Sequence, residues 1–375
     1  VLVVSGQLAA ETIEARGNHA GGSGSAVEVL TNATLRLGSG LLVDNQAGRE
    51  VETTTESLNG TTNTWSVVRY QGAGALSMQV ATGELVNVTI AWNRGTPEGA
   101  GLRLGGGATL ALRNSIVASN GVFVEAALLT GSYSFVTGGL PGQGNLAGDP
   151  RITTEGRLWA TSPCIDAGLD TAAPPEDFEG EPRVDHPAHP NLVSTVDIGA
   201  DEFVDGDGDA LPDAWEVEQF DSTAARDGTA DDDHDGLDER GEFEHSVDRH
   251  LPDTDSDGMP DGWEVAYLLS PRDADADQDP DGDGFANRDE YVAVTSPANG
   301  ADFFRLAAAN SGDGAGPQIA WLSQTGRTYE VESSSSLEGG WLEVASGVGD
   351  GGVQSFAVSN EVPAEFHRLR VYLNP

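Results

Sequence analysis

The chain has 375 residues, no lysine, one cysteine and a formal net charge of −42. Such acidity argues against a nucleic-acid partner, the lone Cys164 excludes an intramolecular disulfide, and no run approaches the roughly 18 apolar residues of a membrane span. The charge is concentrated, because residues 201–290 hold 32 acidic side chains and 5 arginines.

Val1-Leu-Val-Val opens in mid-strand, without an initiating Met or a signal peptide, so a piece of something longer is expected. It reads as the remains of a preceding coil or as a strand donated to a neighbouring copy. From there to residue 150 the sequence alternates short apolar strands with Asn or Gly turns. Asn87-Val-Thr-Ile-Ala-Trp-Asn93 and Asn114-Ser-Ile-Val-Ala-Ser-Asn120 lie 27 residues apart, with alternating strands between them. Strands recurring every 20 to 30 residues with Asn at equivalent corners fit a parallel β-helix, since Asn tolerates left-handed backbone and stacks its amides in ladders. The Thr-rich run 52–64 reads as an edge strand or plain surface loop, with a glycosylated loop as the alternative. Asn32, Asn59 and Asn87 match a glycosylation triplet that is cheap in a Thr-rich chain.

Residues 151–204 carry Ser162-Pro163-Cys164-Ile165-Asp166-Ala167-Gly168, then Asp177, Gly180 and Arg183, then Asp197-Ile198-Gly199-Ala200-Asp201-Glu202. With Gly144-Asn145 and Gly148-Asp149-Pro150, these motifs resemble the segment that closes right-handed parallel β-helices in secreted bacterial surface proteins. Asp166, Asp177, Asp197 and Asp201 are expected to cap turns. Cys164 is expected to be a small buried hydrophobe, and His186 and His189 a loop.

Four twelve-residue acidic loops follow within 205–292. The first offers Asp205, Asp207, Asp209, Leu211, Asp213 and Glu216 at positions one, three, five, seven, nine and twelve. The second offers Asp231, Asp233, Asp235, Leu237, Glu239 and Glu242. The third offers Asp253, Asp255, Asp257, Met259, Asp261 and Glu264, and the fourth Asp279, Asp281, Asp283, Phe285, Asn287 and Glu290. Oxygen ligands at this spacing, with position seven ligating through its carbonyl and a Gly at position six, are calcium chemistry. Ala210 replaces that Gly in the first loop. Loops one and three both read Pro-Asp-x-Trp-Glu-Val, and loops one and two recur as three and four at a separation of 48 residues, a tandem duplication. These loops resemble the thrombospondin type 3 and EF-hand-like repeats of extracellular proteins, which implies about four Ca2+ and bidentate Glu216, Glu242, Glu264 and Glu290.

From 293 to 375 five alternating strands spaced by Gly or Ser turns predict a small antiparallel β-sandwich. The Gly326-Arg-Thr-Tyr and Phe366-His-Arg-Leu patterns resemble fibronectin-type-III-like modules.

The expected chain is therefore mainly β: parallel β-helix coils over 1–150, a closing segment over 151–204, calcium modules with short helices over 205–292, and a sandwich over 293–375. The expected role is a secreted or cell-surface structural protein without enzyme activity, its calcium repeats stiffening the connector, with self-association into a fibre also open. Two alternatives remain. One is a β-helix polysaccharide lyase or glycosidase using Asp177, Asp185 and Arg183. The other is an adhesin stacking surface glycans on Trp65, Tyr70 and Trp92.

Overall fold

The computed structural model describes the chain except residues 1, 11–12, 17–25, 30–31, 44, 46–47, 59–60, 72–74, 94–100, 120–121, 172, 225, 311–316, 359–365 and 375. It is mainly β, 32% strand and 9% helix, with both parallel and antiparallel sheets. Two compact units make up the chain: Val1–Ala230 with Asp238–Ser246, and Asp231–Leu237 with Val247–Pro375. The division falls inside the second acidic loop.

In the first unit, one parallel sheet runs Leu2–Val4, Val27–Val29, Leu76–Gln79, Leu102–Gly105, Val122–Val124. A second is built on two ten-residue strands, Thr34–Val43 and Thr82–Ala91, with Thr109–Arg113 and Ile116–Ala118 pairing alongside the latter. Thr82 faces Thr109 across the 27-residue offset, and Thr34 faces Thr82 across 48. The longer offset accommodates an antiparallel pair, Gly48–Leu58 with Thr61–Gln71, which contains the Thr-rich run. Alternation turns Leu35, Leu37, Leu85, Leu110 and Leu112 inward to join Leu76, Met78, Leu102 and Leu104 in one core. Side chains in successive parallel strands thus stack like on like, which buries apolar area continuously.

Buried asparagines mark the corners. Asn87 and Asn114 take left-handed backbone, with φ of 50° and 44°. Asn114 Nδ2 donates to Asn87 Oδ1 (3.1 Å) and to the Leu169 carbonyl (2.8 Å), while Asn87 Nδ2 donates to the Asp197 carbonyl (2.9 Å). A second pair, Asn45 and Asn93, shares a 3.0 Å bond from Asn45 Nδ2 to Asn93 Oδ1. Residues 144–204 make turns and isolated bridges, and their Ile152, Leu158, Cys164, Ile165, Ile198 and Phe203 pack against Leu41, Ile116 and Phe135 of the sheet. Helices α1 (Asp213–Phe220) and α2 (Glu239–His245) complete this unit. Trp215 sits at ring-centroid distances of 5.5 Å from Phe243 and 5.7 Å from Phe220, over Leu211 and Trp159.

In the second unit, α3 (Asp261–Ala266) and α4 (Asn287–Ala293) precede two antiparallel three-stranded sheets. Pro317–Leu322 is central in one, between Ala307–Asn310 and Val353–Ala357. Arg327–Ser334 is central in the other, between Leu342–Val348 and Phe366–Leu373. Trp321, Tyr329 and Val331 form the core with Ile319, Phe356, Leu369 and Val371. Among the described residues no helix is long and apolar enough to cross a membrane.

Candidate metal centres

The four acidic loops share one backbone design. Position nine donates its N–H to the carbonyl just before position one every time: Asp213 to Val204 (2.7 Å), Glu239 to Ala230 (2.9 Å), Asp261 to Pro252 (3.1 Å), Asn287 to Gln278 (2.8 Å). Within the closed loop, Oδ2 of the first aspartate accepts from the N–H of position six: Ala210 (3.0 Å), Gly236 (3.2 Å), Gly258 (2.9 Å) and Gly284 (3.0 Å). Oδ1 of the fifth accepts from position seven: Leu211 (2.9 Å), Leu237 (2.7 Å), Met259 (3.1 Å), Phe285 (2.9 Å). These bonds fold the chain so that the carboxylates of positions one, three and five converge. In the first three loops each trio places one oxygen per residue within 4.8 Å of the others.

Such a tight coil needs left-handed residues at two points. Position six has φ of 77° at Ala210 and 98–99° at Gly236, Gly258 and Gly284. An L-residue with a Cβ is strained there by about 1 kcal/mol, so at this position the first loop carries a conformational cost that the three glycines avoid. Position four is left-handed too, at Gly208, His234, Ser256 and Gly282, with φ between 62° and 81°. The residue types there vary, so the sequence carried no signal for this second turn.

The helices deliver the twelfth position. Acidic residues in the first turn of α1 to α4 suit the positive end of each helix, and Glu216, Glu264 and Glu290 are 0–1% exposed. Neither carboxylate oxygen of Glu216 or of Glu264 has a hydrogen-bond partner, nor does Glu290 Oε2. Asp209, Asp255, Asp281 and Asp283 each keep one buried oxygen in the same state. Burial, reinforced by the loop aspartates, raises Glu216 and Glu290 to about 7 and Glu264 to about 9, and burial beside Asp257 raises Asp255 to about 6. Buried carboxylates facing one another without donors are strongly unfavourable unless a cation sits among them. Hard oxygen donors of this kind could hold a divalent cation such as Ca2+.

The remaining expected ligands divide by position. Leu211 and Met259 are fully buried, whereas the Phe285 side chain is 42% exposed; an apolar side chain leaves only the backbone carbonyl as a ligand at position seven. Asp213 accepts from the Gly206 N–H (2.8 Å) and Asp261 from the Thr254 N–H and hydroxyl (2.8 and 2.6 Å). Asn287 is buried, with Oδ1 lacking a partner. In the second loop, Asp231, Asp233, Asp235 and Leu237 belong to the second unit, and Glu239 and Glu242 are buried in α2 of the first. Arg226 Nη1 lies 2.8 Å from Glu239 Oε1.

Outside the loops, Asp177, Asp197 and Asp201 hold backbone. Asp197 accepts from the N–H groups of Asp166 (2.7 Å) and Phe203 (2.8 Å), Asp201 from Leu158 (2.7 Å), and Asp177 from Glu179, Glu181 and Glu202. Asp166 is fully buried as well, and burial raises its carboxyl above the ordinary range against the opposing effect of the His186 backbone N–H. Arg183 pairs with buried Glu202 at 2.9 Å. Burial pushes the Cys164 thiol well above its usual value, which makes it unreactive. The rings of His186 and His189 lie 5.0 Å apart, with His189 Nε2 at 2.8 Å from the Ala160 carbonyl. Trp92 Nε1 donates to the Thr153 carbonyl (3.0 Å). Asn59 and Val1 lie outside the described residues, as do the side chains of Trp65 and Tyr70.

Helices α1 and α2 are fastened to the 151–204 segment, and α4 to the strand Arg327–Ser334. In the first unit, Arg157 Nη2 bonds Glu218 of α1 (3.0 Å) and Glu179 (2.7 Å), the Thr154 N–H donates to Ser246 Oγ (3.2 Å), and the Trp159 ring lies 6.0 Å from His245. In the second, Arg327 donates to the Val292 and Tyr291 carbonyls of α4 (2.7 and 2.8 Å) and covers the Tyr291 ring. Arg157 carries no sequence pattern that would single it out, and Arg327 stands in the Gly326-Arg-Thr-Tyr pattern, which gave no sign of its contact with α4. No protein-family model, curated protein or solved structure matches this chain.

Proposed function

We propose that this is an extracellular structural protein in which calcium folds and stiffens the acidic segment 205–292 between a right-handed parallel β-helix and a terminal β-sandwich. The observation that carries the reading is the burial of Glu216, Glu264 and Glu290 among loop aspartates, with both carboxylate oxygens of the first two and Oε2 of the third lacking a donor. In the first, third and fourth loops, Asp205, Asp207 and Asp209, Asp253, Asp255 and Asp257, and Asp279, Asp281 and Asp283 would hold the cations from one side and Glu216, Glu264 and Glu290 from the other; Asp231, Asp233 and Asp235 form the corresponding trio of the second loop. Calcium supplies charge balance and a fixed coordination shell there, and no reaction is asked of it.

The fastening of α1 and α2 through Arg157 and Trp159, and of α4 through Arg327, supports a mechanical role, because ordering the loops then orders what they are tied to. Modules of this type bind at roughly 10⁻⁴ to 10⁻³ M, matched to calcium outside cells. Arg183 paired to Glu202, and Asp177 accepting three backbone N–H groups, support a scaffold over a lyase or glycosidase. Scanning calorimetry of the full chain tests the proposal. At about a hundredfold excess of calcium over Kd, each site adds about 2.7 kcal/mol, so a transition moves sharply upward; identical profiles in calcium and in chelator would overturn it.

A further inference from the structure

We propose that Asp275 is a further ligand of the cation held by the third loop, which makes that site tighter than its duplicate in the first loop; the assignment rests on the calcium reading above. Asp275 lies beyond the twelve-residue pattern. Even so, oxygens of Asp257, Glu264 and Asp275 all lie within 4.8 Å of one another. That span is what two ligands on opposite sides of one Ca2+ leave when each bond is about 2.3–2.6 Å. Asp257 also groups with Asp253 and Asp255, so Asp275 joins a cluster already made of loop ligands.

A second observation points to a cation there. Glu264 is 0% exposed and both of its carboxylate oxygens lack a hydrogen-bond partner. A buried anion placed against two more carboxylates requires positive charge, and a cation touching all three supplies it.

The local bonds hold Asp275 in place for this. Its N–H and that of Ala276 donate to Asp257 Oδ2 (2.9 and 2.8 Å), which ties the backbone at 275–276 to the loop's fifth position. Asn287 Nδ2 donates to the Asp275 carbonyl (3.1 Å) and to its Oδ1 (3.0 Å). The Asp275 carboxylate is thereby oriented by a neutral amide.

The duplication provides an internal control. The residue 48 positions earlier is Asp227, whose Oδ1 accepts from the Thr229 N–H (3.2 Å) and hydroxyl (2.6 Å). Asp209, the counterpart of Asp257, has a buried Oδ2 with no partner where Asp257 accepts two backbone N–H groups. The same sequence position is turned into a local cap in one copy and toward the loop in the other. Affinity in such sites follows the number of charged ligands, so the copies diverge in strength.

Calcium titration calorimetry on the full chain decides this. Asp275→Asn, near in shape, is expected to weaken one site by about tenfold with the number of sites unchanged, whereas Asp227→Asn titrates as the parent does. Far-UV circular dichroism in saturating calcium is expected to match the parent for both variants, which separates a lost ligand from a lost fold. An Asp275→Asn protein with parental affinities overturns the proposal, as does equal weakening by Asp227→Asn or loss of fold at every calcium concentration. If the unsubstituted chain binds no calcium, the reading of the loops fails instead.

Discussion

Residues 76–136 and 205–293 both turn side chains inward, but with opposite chemistry. In the first, leucines such as Leu85, Leu110 and Leu112 fill the interior of parallel strands. In the second, the inward groups are carboxylates, Glu216, Glu264 and Glu290 among them. Apolar stacking is complete in itself. A carboxylate cluster stays unstable until a cation arrives, so one region is expected to be constitutive and the other conditional on calcium.

The largest effect that sharpens this contrast is in the apolar region. Leu110 is almost fully buried, and Leu110→Ala is expected to cost about 2–5 kcal/mol through lost burial and a cavity. Denaturant unfolding should give the same loss in calcium and in chelator; a loss that depends on calcium would break the division. On the other side, Glu264→Gln removes a charge from the third loop and is expected to weaken one calcium site by about 10- to 100-fold, some 1.4–2.8 kcal/mol, read by calorimetry. The parallel-sheet unfolding transition should not move.

Acid provides a subtler test. Glu264 stands near 9 in the folded chain, and Glu216 and Glu290 near 7, against an ordinary value of 4.5. The folded state therefore binds more protons than the unfolded state, and in chelator the acidic segment loses stability as pH rises from about 4.5 through these values. Lowering the pH of the chelated protein from 8 to 5 should restore helical signal, while saturating calcium should abolish that gain. The smallest effect is at Ala210, left-handed at φ 77°: Ala210→Gly is expected to tighten the first loop by up to about 1 kcal/mol, seen as a lower calcium midpoint.

Much of this was legible in the sequence because it rests on spacing. The 27-residue offset between Asn87 and Asn114 reappears as strand register and as a side-chain bond between the two. The turn demanded at position six reappears as left-handed backbone in all four loops. What escaped depends on contacts between distant residues. Arg327 reaches the end of α4 from a strand 35 residues on, and Asp275 meets Glu264 only once the loops have coiled. The left-handed fourth position was hidden because Gly, His and Ser all occupy it.

Hydrogen exchange on the full chain, in calcium and in chelator, tests the central claim most directly. Protection across 205–293 is expected to collapse in chelator while that of 76–136 stays unchanged. Equal protection of 205–293 in both conditions would contradict it.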